Sequence, residues 1–205
     1  MYTCADCSVY ACRGTERDKL PGNCPMRNPE KTAEVLQAYR EEENADFYVA
    51  SSEIESEGYG EWVRIREIVE FCKKLGYKKL GLAFCGGLKK EAAAAAKIFR
   101  SHGFEVVSVI CKAGGVDKCE AGIADEKKVY PGEYEPMCNP IFQARLLNEQ
   151  KTQFNVVLGL CVGHDSLFYK YSDALVTTLV TKDRVLAHNP VGALYLADGY
   201  CKKRV

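Results

Sequence analysis

The sequence predicts an α/β fold, a three-layer sandwich in which a small, mainly parallel β-sheet lies between helices and follows a cysteine-rich N-terminal segment. Two observations support this prediction. From residue 80 onward, short apolar runs alternate with helical patterns, which is typical of parallel strands joined by right-handed crossovers. The central runs are apolar throughout, as expected of strands that are covered on both faces. We therefore expect a four-cysteine segment over residues 1–27 and an α/β domain over residues 28–205.

Two helices are predicted ahead of the first strand. Residues 1–27 lack helical or strand periodicity. The sequence Asn28-Pro29-Glu30 then combines an N-cap, a proline suited to the first helical position and an acid that favours the positive end of the helix dipole. We expect the first helix to begin there. A second helix is predicted from about Gly60 to Leu75, because its apolar residues share one face and Gly76 can end it.

The remaining elements alternate along the chain. Apolar runs predict four strands, at 80–85, 104–111, 154–161 and 174–181. Helices are predicted in the intervals, at 88–101, from 139 to about 152, just after 163, and from 189 through Tyr200. Residues 113–136 show few periodic signals, so we expect a long polar loop there.

The composition disfavours several classes of protein. The chain has 205 residues, 47% of them hydrophobic, which is typical of a globular protein and not of a disordered one. Its 28 basic and 28 acidic residues cancel, so no global field attracts nucleic acid, and we expect no nucleic-acid partner. No apolar run approaches the roughly 20 residues that span a bilayer, and the N-terminus lacks the pattern of a signal peptide. We therefore expect a cytoplasmic protein without a membrane partner.

Four of the 11 cysteines lie in the first 27 residues with the spacing C-x2-C-x4-C-x11-C. Two cysteines separated by two residues can bind one metal from a single turn, and two more complete a tetrahedron of thiolates. We expect Cys4, Cys7, Cys12 and Cys24 to bind one metal centre, either zinc or an iron–sulfur cluster such as [4Fe-4S]. The alternative is four unlinked cysteines in a flexible terminus, which the lack of a core around them disfavours.

Three further cysteines, Cys85, Cys111 and Cys161, each end a predicted strand. Because the carboxyl ends of parallel strands lie along one edge of a sheet, where open α/β folds bind their ligands, we expect these thiols to lie close together. Cys138 precedes the cap of a predicted helix and is expected at the same edge. We predict that the four cysteines share a cofactor site for a second metal or cluster. The alternative is that each is a small buried hydrophobe at a strand end.

Other groups with useful chemistry are predicted at this edge. Gly86 and Gly87 free backbone N–H groups at a helix N-terminus, which can hold an anion at the cofactor site or simply form a tight turn. The candidate catalytic residues are thiol, acid–base and cationic groups that follow the third and fourth strands, namely Cys161, His164, Asp165, Lys182, Asp183 and His188. Structural alternatives exist for both carboxylates, because Asp165 can cap a helix and Asp183 can belong to a surface turn.

Four groups of residues together carry a resemblance to a known family. They are Tyr2-Thr3-Cys4-Ala5-Asp6-Cys7, Met137-Cys138-Asn139-Pro140-Ile141 with Gln143-Ala144, Gly159-Leu160-Cys161-Val162-Gly163-His164-Asp165, and Lys182-Asp183-Arg184-Val185 with His188-Asn189-Pro190. Together they resemble an uncharacterised prokaryotic family, domain of unknown function 1847, over nearly the whole chain. That family is described as metal-binding. The resemblance therefore implies metal binding through cysteines, with no established reaction.

Two classes of function agree with these residues. The first is an enzyme in which a thiolate-bound metal keeps an open position and His164, Asp165, Lys182 or Asp183 moves protons or binds a small-molecule substrate. By analogy with other cysteine-lined cluster enzymes, reduction or removal of sulfur would suit such a site. The second is a non-catalytic metal protein, such as a redox sensor or an electron carrier, whose partner is a redox protein. A metal-stabilised interaction module is a third hypothesis, which the zero net charge disfavours for nucleic acid.

Overall fold

The computed structural model describes residues 1–205, and the chain divides into two compact units, Met1–Glu57 and Gly58–Val205. The first unit begins with three short 3-10 turns, at Cys4–Asp6, Ala11–Arg13 and Pro25–Arg27. Helix α1 (Pro29–Ala38) and all but the last residue of helix α2 (Glu42–Gly58) follow. Both helices are therefore grouped with the cysteine segment.

Helix α1 begins where the sequence predicts it. The Asn28 side chain accepts a hydrogen bond from the backbone N–H of Lys31 at 2.9 Å, and Pro29 occupies the first helical position. Helix α2 is absent from the sequence prediction. Its aromatic and aliphatic residues at 47–49 are consecutive, so they point to different sides of the helix and produce no helical periodicity.

The second unit is built on a four-stranded, all-parallel sheet with the strand order β2-β1-β3-β4. The strands are β1 (Lys79–Phe84), β2 (Glu105–Ile110), β3 (Phe154–Leu158) and β4 (Val176–Val180). The predicted α/β fold with a parallel sheet is therefore confirmed. Strand β3 ends earlier than predicted because Gly159 turns the chain with a φ of +67°, at a point where a Cβ atom would lie 2.1 Å from Leu88 Cδ1.

Five helices complete this unit, namely α3 (Arg64–Lys74), α4 (Lys89–Ser101), α5 (Pro140–Glu149), α6 (His164–Tyr171) and α7 (Val191–Tyr195). The predicted start at Asn139 is confirmed, since its side chain accepts a hydrogen bond from the Phe142 N–H at 3.2 Å. Helix α4 follows a 3-10 turn at Gly86–Leu88. Two predicted ends are wrong. Helix α3 begins at Arg64 and not near Gly60, which leaves Val63 exposed ahead of it, and α7 ends at Tyr195, before Tyr200. No helix combines the length and apolar character needed to cross a bilayer.

Helices cover both faces of the sheet. On one face, Val157 of β3 packs in a buried cluster with Leu147 of α5 and Phe168 of α6. Phe154 lies on the opposite face, because successive side chains of a strand alternate and an odd number of positions separates it from Val157. Its ring contacts that of Phe71 in α3, with centroids 5.5 Å apart. The predicted three-layer arrangement is therefore confirmed.

The loop ahead of α5 is held by polar contacts. Asp117 accepts hydrogen bonds from the backbone N–H groups of Cys119 at 2.8 Å and Glu135 at 2.9 Å. Lys128 Nζ lies 3.1 Å from the same carboxylate. The two backbone N–H groups, together with Lys128, hold the pKa of Asp117 well below its usual range. This network fixes the chain just ahead of Cys138.

Candidate functional site

Cys85 and Cys111 lie side by side at the carboxyl ends of β1 and β2. Each is the first residue after its strand and continues the hydrogen-bond ladder by one step. The Cys85 N–H donates to Leu158 O at 3.1 Å, and the Cys111 N–H donates to Phe84 O at 2.8 Å. The parallel register therefore places these two residues on neighbouring positions, with Cys111 buried and Cys85 half-buried.

Cys138 and Cys161 reach the same edge from the two following loops. The Asn139 N–H donates to Cys111 O at 2.7 Å, so the cap of α5 is pinned to the residue that ends β2. Cys161 lies in the turn between β3 and α6, where its carbonyl accepts a hydrogen bond from the His164 N–H at 2.9 Å. The four cysteines predicted at this edge line one small cavity, which leaves no room for a water molecule.

The sulfurs of three of these cysteines form a row, which we call the thiol row: Cys85, Cys111 and Cys138. Cys111 lies in the middle. Its Sγ is 3.9 Å from Cys138 Sγ, and it is also hydrogen-bonded to Cys85. The Gly86 N–H donates to Cys111 Sγ at 3.3 Å, and the Gly87 N–H donates to Cys85. The N–H groups freed by this glycine turn therefore bind the protein's own sulfurs.

The thiol row favours two thiolates that flank one thiol. The pKa of Cys85 is lowered to about 4, chiefly by the hydrogen bond between Cys85 and Cys111. The same kind of bond lowers the pKa of Cys138 to about 5. The pKa of Cys111 is raised by its hydrogen bonds with Cys138 and Cys85 and by burial. Cys111 therefore keeps its proton, which it can donate to one neighbouring sulfur at a time.

Three cations surround the thiols. Lys182 is hydrogen-bonded to Cys85 and favours its charged form. Lys112 lies near Cys138, at the other end of the thiol row, and lowers the pKa of that thiol. Arg184 Nη2 donates to Cys161 Sγ at 3.0 Å. Negative charge on the sulfurs is thus balanced by side chains from two different loops.

Two buried polar atoms in the wall of the cavity lack a hydrogen-bond partner, Gln143 Oε1 and His164 Nδ1. The fully buried Gln143 donates from Nε2 to Phe84 O at 3.3 Å and to Val109 O at 2.7 Å. Because both carbonyls need a donor, they determine the orientation of the amide, and its oxygen remains without a partner. An unpartnered buried polar group costs about 1–3 kcal/mol, and a ligand that satisfied these atoms would recover that free energy.

Gln143 is the main residue of this site that sequence reasoning missed as a functional candidate. A signal was present, because the glutamine lies on the buried face of the helix that begins after Asn139. A polar amide on such a face needs partners, and these are the carbonyls near the ends of β1 and β2. The contact between Arg184 and Cys161 had no comparable signal, since 22 residues separate the two in the chain.

The other predicted catalytic residues lie beside the cavity without lining it. Asp165 accepts a hydrogen bond from the next backbone N–H at 2.8 Å. Asp183 accepts two from the N–H groups of Val185 and Leu186, both at 2.8 Å. His188 Nδ1 accepts one from the Asp183 N–H at 3.1 Å. Their contacts hold turns, and Lys182 is the member of this loop that reaches the thiol row.

The N-terminal cysteines have a more open arrangement. Cys4, Cys7 and Cys24 line a groove of about 200 Å³, whereas Cys12 is not part of its wall. Asn23 helps to close the segment, because its Nδ2 donates to Thr3 Oγ1 at 2.9 Å. Cys4, Cys7 and Cys12 are exposed and Cys24 is half-buried. Three of these cysteines therefore share one groove, but no hydrogen bond holds their sulfurs in place.

As the side chains stand, no group of three or more His, Cys, Asp or Glu residues is arranged to hold a metal ion. At the sheet edge, however, the donors suit one chemically. The 3.9 Å between Cys111 and Cys138 sulfurs matches the roughly 3.5–4 Å of thiolates that share one zinc ion. The sulfur donors are soft and buried or half-buried, and His164 Nδ1 adds a buried, unpartnered nitrogen. The donor types therefore suit a zinc-type ion.

Comparison with known proteins places the chain in a family. The family described as "Protein of unknown function (DUF1847)" matches residues 24–179, which include all four sheet-edge cysteines. The chain is also similar to the uncharacterized protein MJ0455 of Methanocaldococcus jannaschii. The two are 50% identical over 172 residues, which cover 84% of this chain and 86% of that protein. With most of its length matched, the chain belongs to the DUF1847 family.

Proposed function

We propose that this protein binds a metal through the cysteines at the carboxyl edge of its sheet and uses it for redox or sulfur chemistry on a small molecule. The thiol row is the observation that carries this proposal. Three buried or half-buried thiols, of which Cys111 contacts the other two, form a soft donor set of the kind that zinc and iron–sulfur clusters prefer. The location supports it as well, since open parallel sheets bind ligands at the carboxyl ends of their strands.

One ion suits the thiol row better than a cluster. Two thiolates on one zinc ion lie roughly 3.5–4 Å apart, given Zn–S bonds near 2.3 Å, and the Cys111 and Cys138 sulfurs are 3.9 Å apart. Cysteines that bind separate irons of a cluster lie further from one another. We therefore propose a mononuclear, zinc-type centre, which supports Lewis-acid sulfur chemistry and not electron transfer, because zinc has no redox chemistry. A redox role of the metal would require the alternative, an iron–sulfur cluster, which metal analysis distinguishes.

A bound metal of this type would supply a Lewis acid beside the cavity. The chain's own groups would handle charge and protons. Lys182 stabilises negative charge at the Cys85 end of the row, Arg184 holds the Cys161 sulfur, and His164 offers a nitrogen without a partner. We assign substrate binding and proton transfer to these groups. The remaining predicted catalytic residues, Asp165, Asp183 and His188, would hold the loops in place.

We propose a second, structural metal at Cys4, Cys7, Cys12 and Cys24. Three of these cysteines share one groove, and Leu20 is the one buried residue among the first 27. A segment with so little apolar burial needs another source of order, and a structural zinc ion contributes folding free energy directly.

A non-catalytic redox role is the second candidate, and the tightness of the cavity favours it. Because the cavity leaves no room for a water molecule, a substrate enters only if wall residues move. In this role Cys111 and Cys138 would form a disulfide and pass two electrons and two protons to an oxidised partner, such as another protein's disulfide. The protein would then be a sensor or an electron carrier.

Anaerobic purification followed by elemental analysis and an ultraviolet–visible spectrum tests the proposal. For zinc we expect one equivalent at each of the two sites and no colour. For clusters we expect several irons at each site and sulfur-to-iron charge-transfer bands. Cys111→Ser should lose one equivalent. Cys119→Ser is the matched control, because this exposed loop cysteine belongs to neither group, and it should lose none. Full metal content in Cys111→Ser would refute the sheet-edge centre. In that case, a reversible Cys111–Cys138 disulfide in the wild type would support the redox candidate.

A further inference from the structure

We infer that His164, and not Cys161, completes the sheet-edge metal centre, which gives the ligand set Cys85, Cys111, Cys138 and His164 and leaves Cys161 as a free thiol beside it. This inference rests on the metal-binding function proposed above, and it moves His164 from proton transfer to metal binding. It replaces a four-thiolate set with three thiolates and one imidazole, a common zinc ligand set, so a substrate would reach the metal only by expanding its coordination to five.

The contacts of Cys161 separate it from the other three cysteines. The members of the thiol row are hydrogen-bonded to one another, whereas the partner of Cys161 Sγ is Arg184 Nη2 at 3.0 Å. A guanidinium stays charged at any pH of interest. Lysines also lie beside Cys85 and Cys138, so a neighbouring cation alone does not set Cys161 apart. Cys85 and Cys138 each contact the sulfur of Cys111 in addition, whereas the contact of Cys161 Sγ is with Arg184. Cys161 therefore lies outside the row of sulfurs that a metal would join.

His164 Nδ1 has the opposite character. It is buried, it lines the cavity together with the thiol row, and it lacks a hydrogen-bond partner. The imidazole also lies close enough to Cys138 to interact with its sulfur. The His164 N–H bond to Cys161 O anchors the residue at the start of α6. Coordination would satisfy the nitrogen and join the imidazole to the thiol row.

Two further points favour this ligand set. Gln143 Oε1 is the other unpartnered atom of the wall, but an amide oxygen is a hard ligand that suits calcium or magnesium better than an ion on thiolates. In addition, three thiolates and a neutral imidazole leave less negative charge on a divalent ion than four thiolates do. Lys182 and Lys112, at the two ends of the row, are enough to balance what remains.

The test uses the full-length protein, stripped of metal under anaerobic conditions and reconstituted with Zn²⁺ or, for spectra, with Co²⁺. After desalting, His164→Ala should lose one Zn²⁺ equivalent, as Cys111→Ser does, and Cys161→Ser should lose none. His164→Cys should restore the equivalent and increase the sulfur-to-cobalt charge-transfer absorption in the Co²⁺ form. Circular dichroism confirms that each variant is folded.

Alkylation of the wild type gives a second readout that needs no variant. With Zn²⁺ bound, iodoacetamide should label Cys161 at least about ten times faster than the cysteines of the thiol row, because metal-bound thiolates are protected. If Cys111→Ser loses no zinc, the proposed function itself fails. If Cys111→Ser and Cys161→Ser each lose one equivalent, while His164→Ala keeps it or Cys161 is protected from alkylation, the metal centre stands and the assignment of His164 is overturned.

Discussion

The two cysteine groups of this protein are held in place by different means. In the N-terminal segment, the cysteines lie in and around isolated 3-10 turns, and three of the four are exposed. At the sheet edge, the backbone ladder positions Cys85 and Cys111, and a backbone bond from Asn139 brings in Cys138. The first group is recognised by its spacing in the sequence. The second is assembled by topology, and its spacing in the sequence carries no signal.

The difference has an energetic side. Burial of one leucine contributes about 1.5–3 kcal/mol, whereas ordering the backbone costs about 1–2 kcal/mol per residue. Leu20 is the only buried residue among the first 27, so apolar burial within that segment cannot order it. The sheet edge needs no such help, because strands β1 and β3 are buried along their lengths. The first site should thus be ordered by its metal and the second by the fold.

Metal removal should separate the two regions most strongly. In protein treated with a chelator under reducing conditions, backbone amides of residues 1–27 should exchange with solvent within seconds. Amides of β1 and β3 should remain protected by at least about a thousandfold, because they open only with the whole domain. Hydrogen exchange read by mass spectrometry measures both. Persistent protection of residues 1–27 without metal would show that the metal is not what orders the N-terminal segment.

Gln143→Ala should weaken the sheet edge itself. The change leaves the carbonyls of Phe84 and Val109 without their buried donor and opens a cavity. We expect a loss of about 2–4 kcal/mol in the free energy of unfolding, measured by urea denaturation. Gln150→Ala is the matched control, since this side chain is exposed at the end of the same helix. It should stay within about 0.5 kcal/mol of the wild type. Equal stability of the two variants would show that Gln143 does not hold the edge.

Asp117→Asn should have a more local effect, on the loop that leads to Cys138. The backbone N–H groups of Cys119 and Glu135, with Lys128, lower the pKa of Asp117, so its ionised form stabilises the loop at neutral pH. Because the folded pKa is lowered, this contribution is present above the ordinary carboxyl pKa and is lost as the pH falls below it. Amides of Cys119 and Glu135 should exchange faster in the variant than in the wild type at pH 7. They should also lose protection in the wild type at low pH, once the rates are corrected for the intrinsic pH dependence of exchange.

Glu126→Gln provides the control for that experiment, because this exposed side chain lies in the same loop. It should leave the exchange of both amides unchanged. If Asp117→Asn also leaves them unchanged, the polar network does not order the loop, and the position of Cys138 depends on the backbone bonds of Met137 and Asn139.

The smallest expected effect concerns the loop that supplies Lys182 and Arg184. Ala187 has a φ of +50°, in the left-handed region that favours glycine. Ala187→Gly should therefore raise the free energy of unfolding by up to about 1 kcal/mol. Ala94→Gly, at an exposed position inside α4, should lower it by about 0.5–1 kcal/mol. A drop in stability for both variants would show that the conformation of Ala187 is not strained.

The sequence by itself determined the elements that depend on local chemistry. Asparagine followed by proline marks the starts of α1 and α5, since a side-chain cap and a fixed φ act within a few residues. Continuous apolar runs identify the strands of a sheet covered on both faces. Because parallel strands end on one side, the same runs were enough to predict that Cys85, Cys111 and Cys161 lie at one edge.

Only the tertiary structure decided which groups touch at that edge. The row formed by Cys85, Cys111 and Cys138 depends on register and on backbone bonds across a long loop, such as the one from Asn139, neither of which leaves a periodic pattern. The unpartnered atoms of Gln143 and His164 depend on rotamers set by packing around them. Helix α2 escaped prediction because its short buried stripe, Ala50 and Ile54, is obscured by the exposed apolar residues Tyr48 and Val49 beside it. Local signals set where elements begin, whereas contacts between side chains distant in the chain are fixed only once the layers have packed.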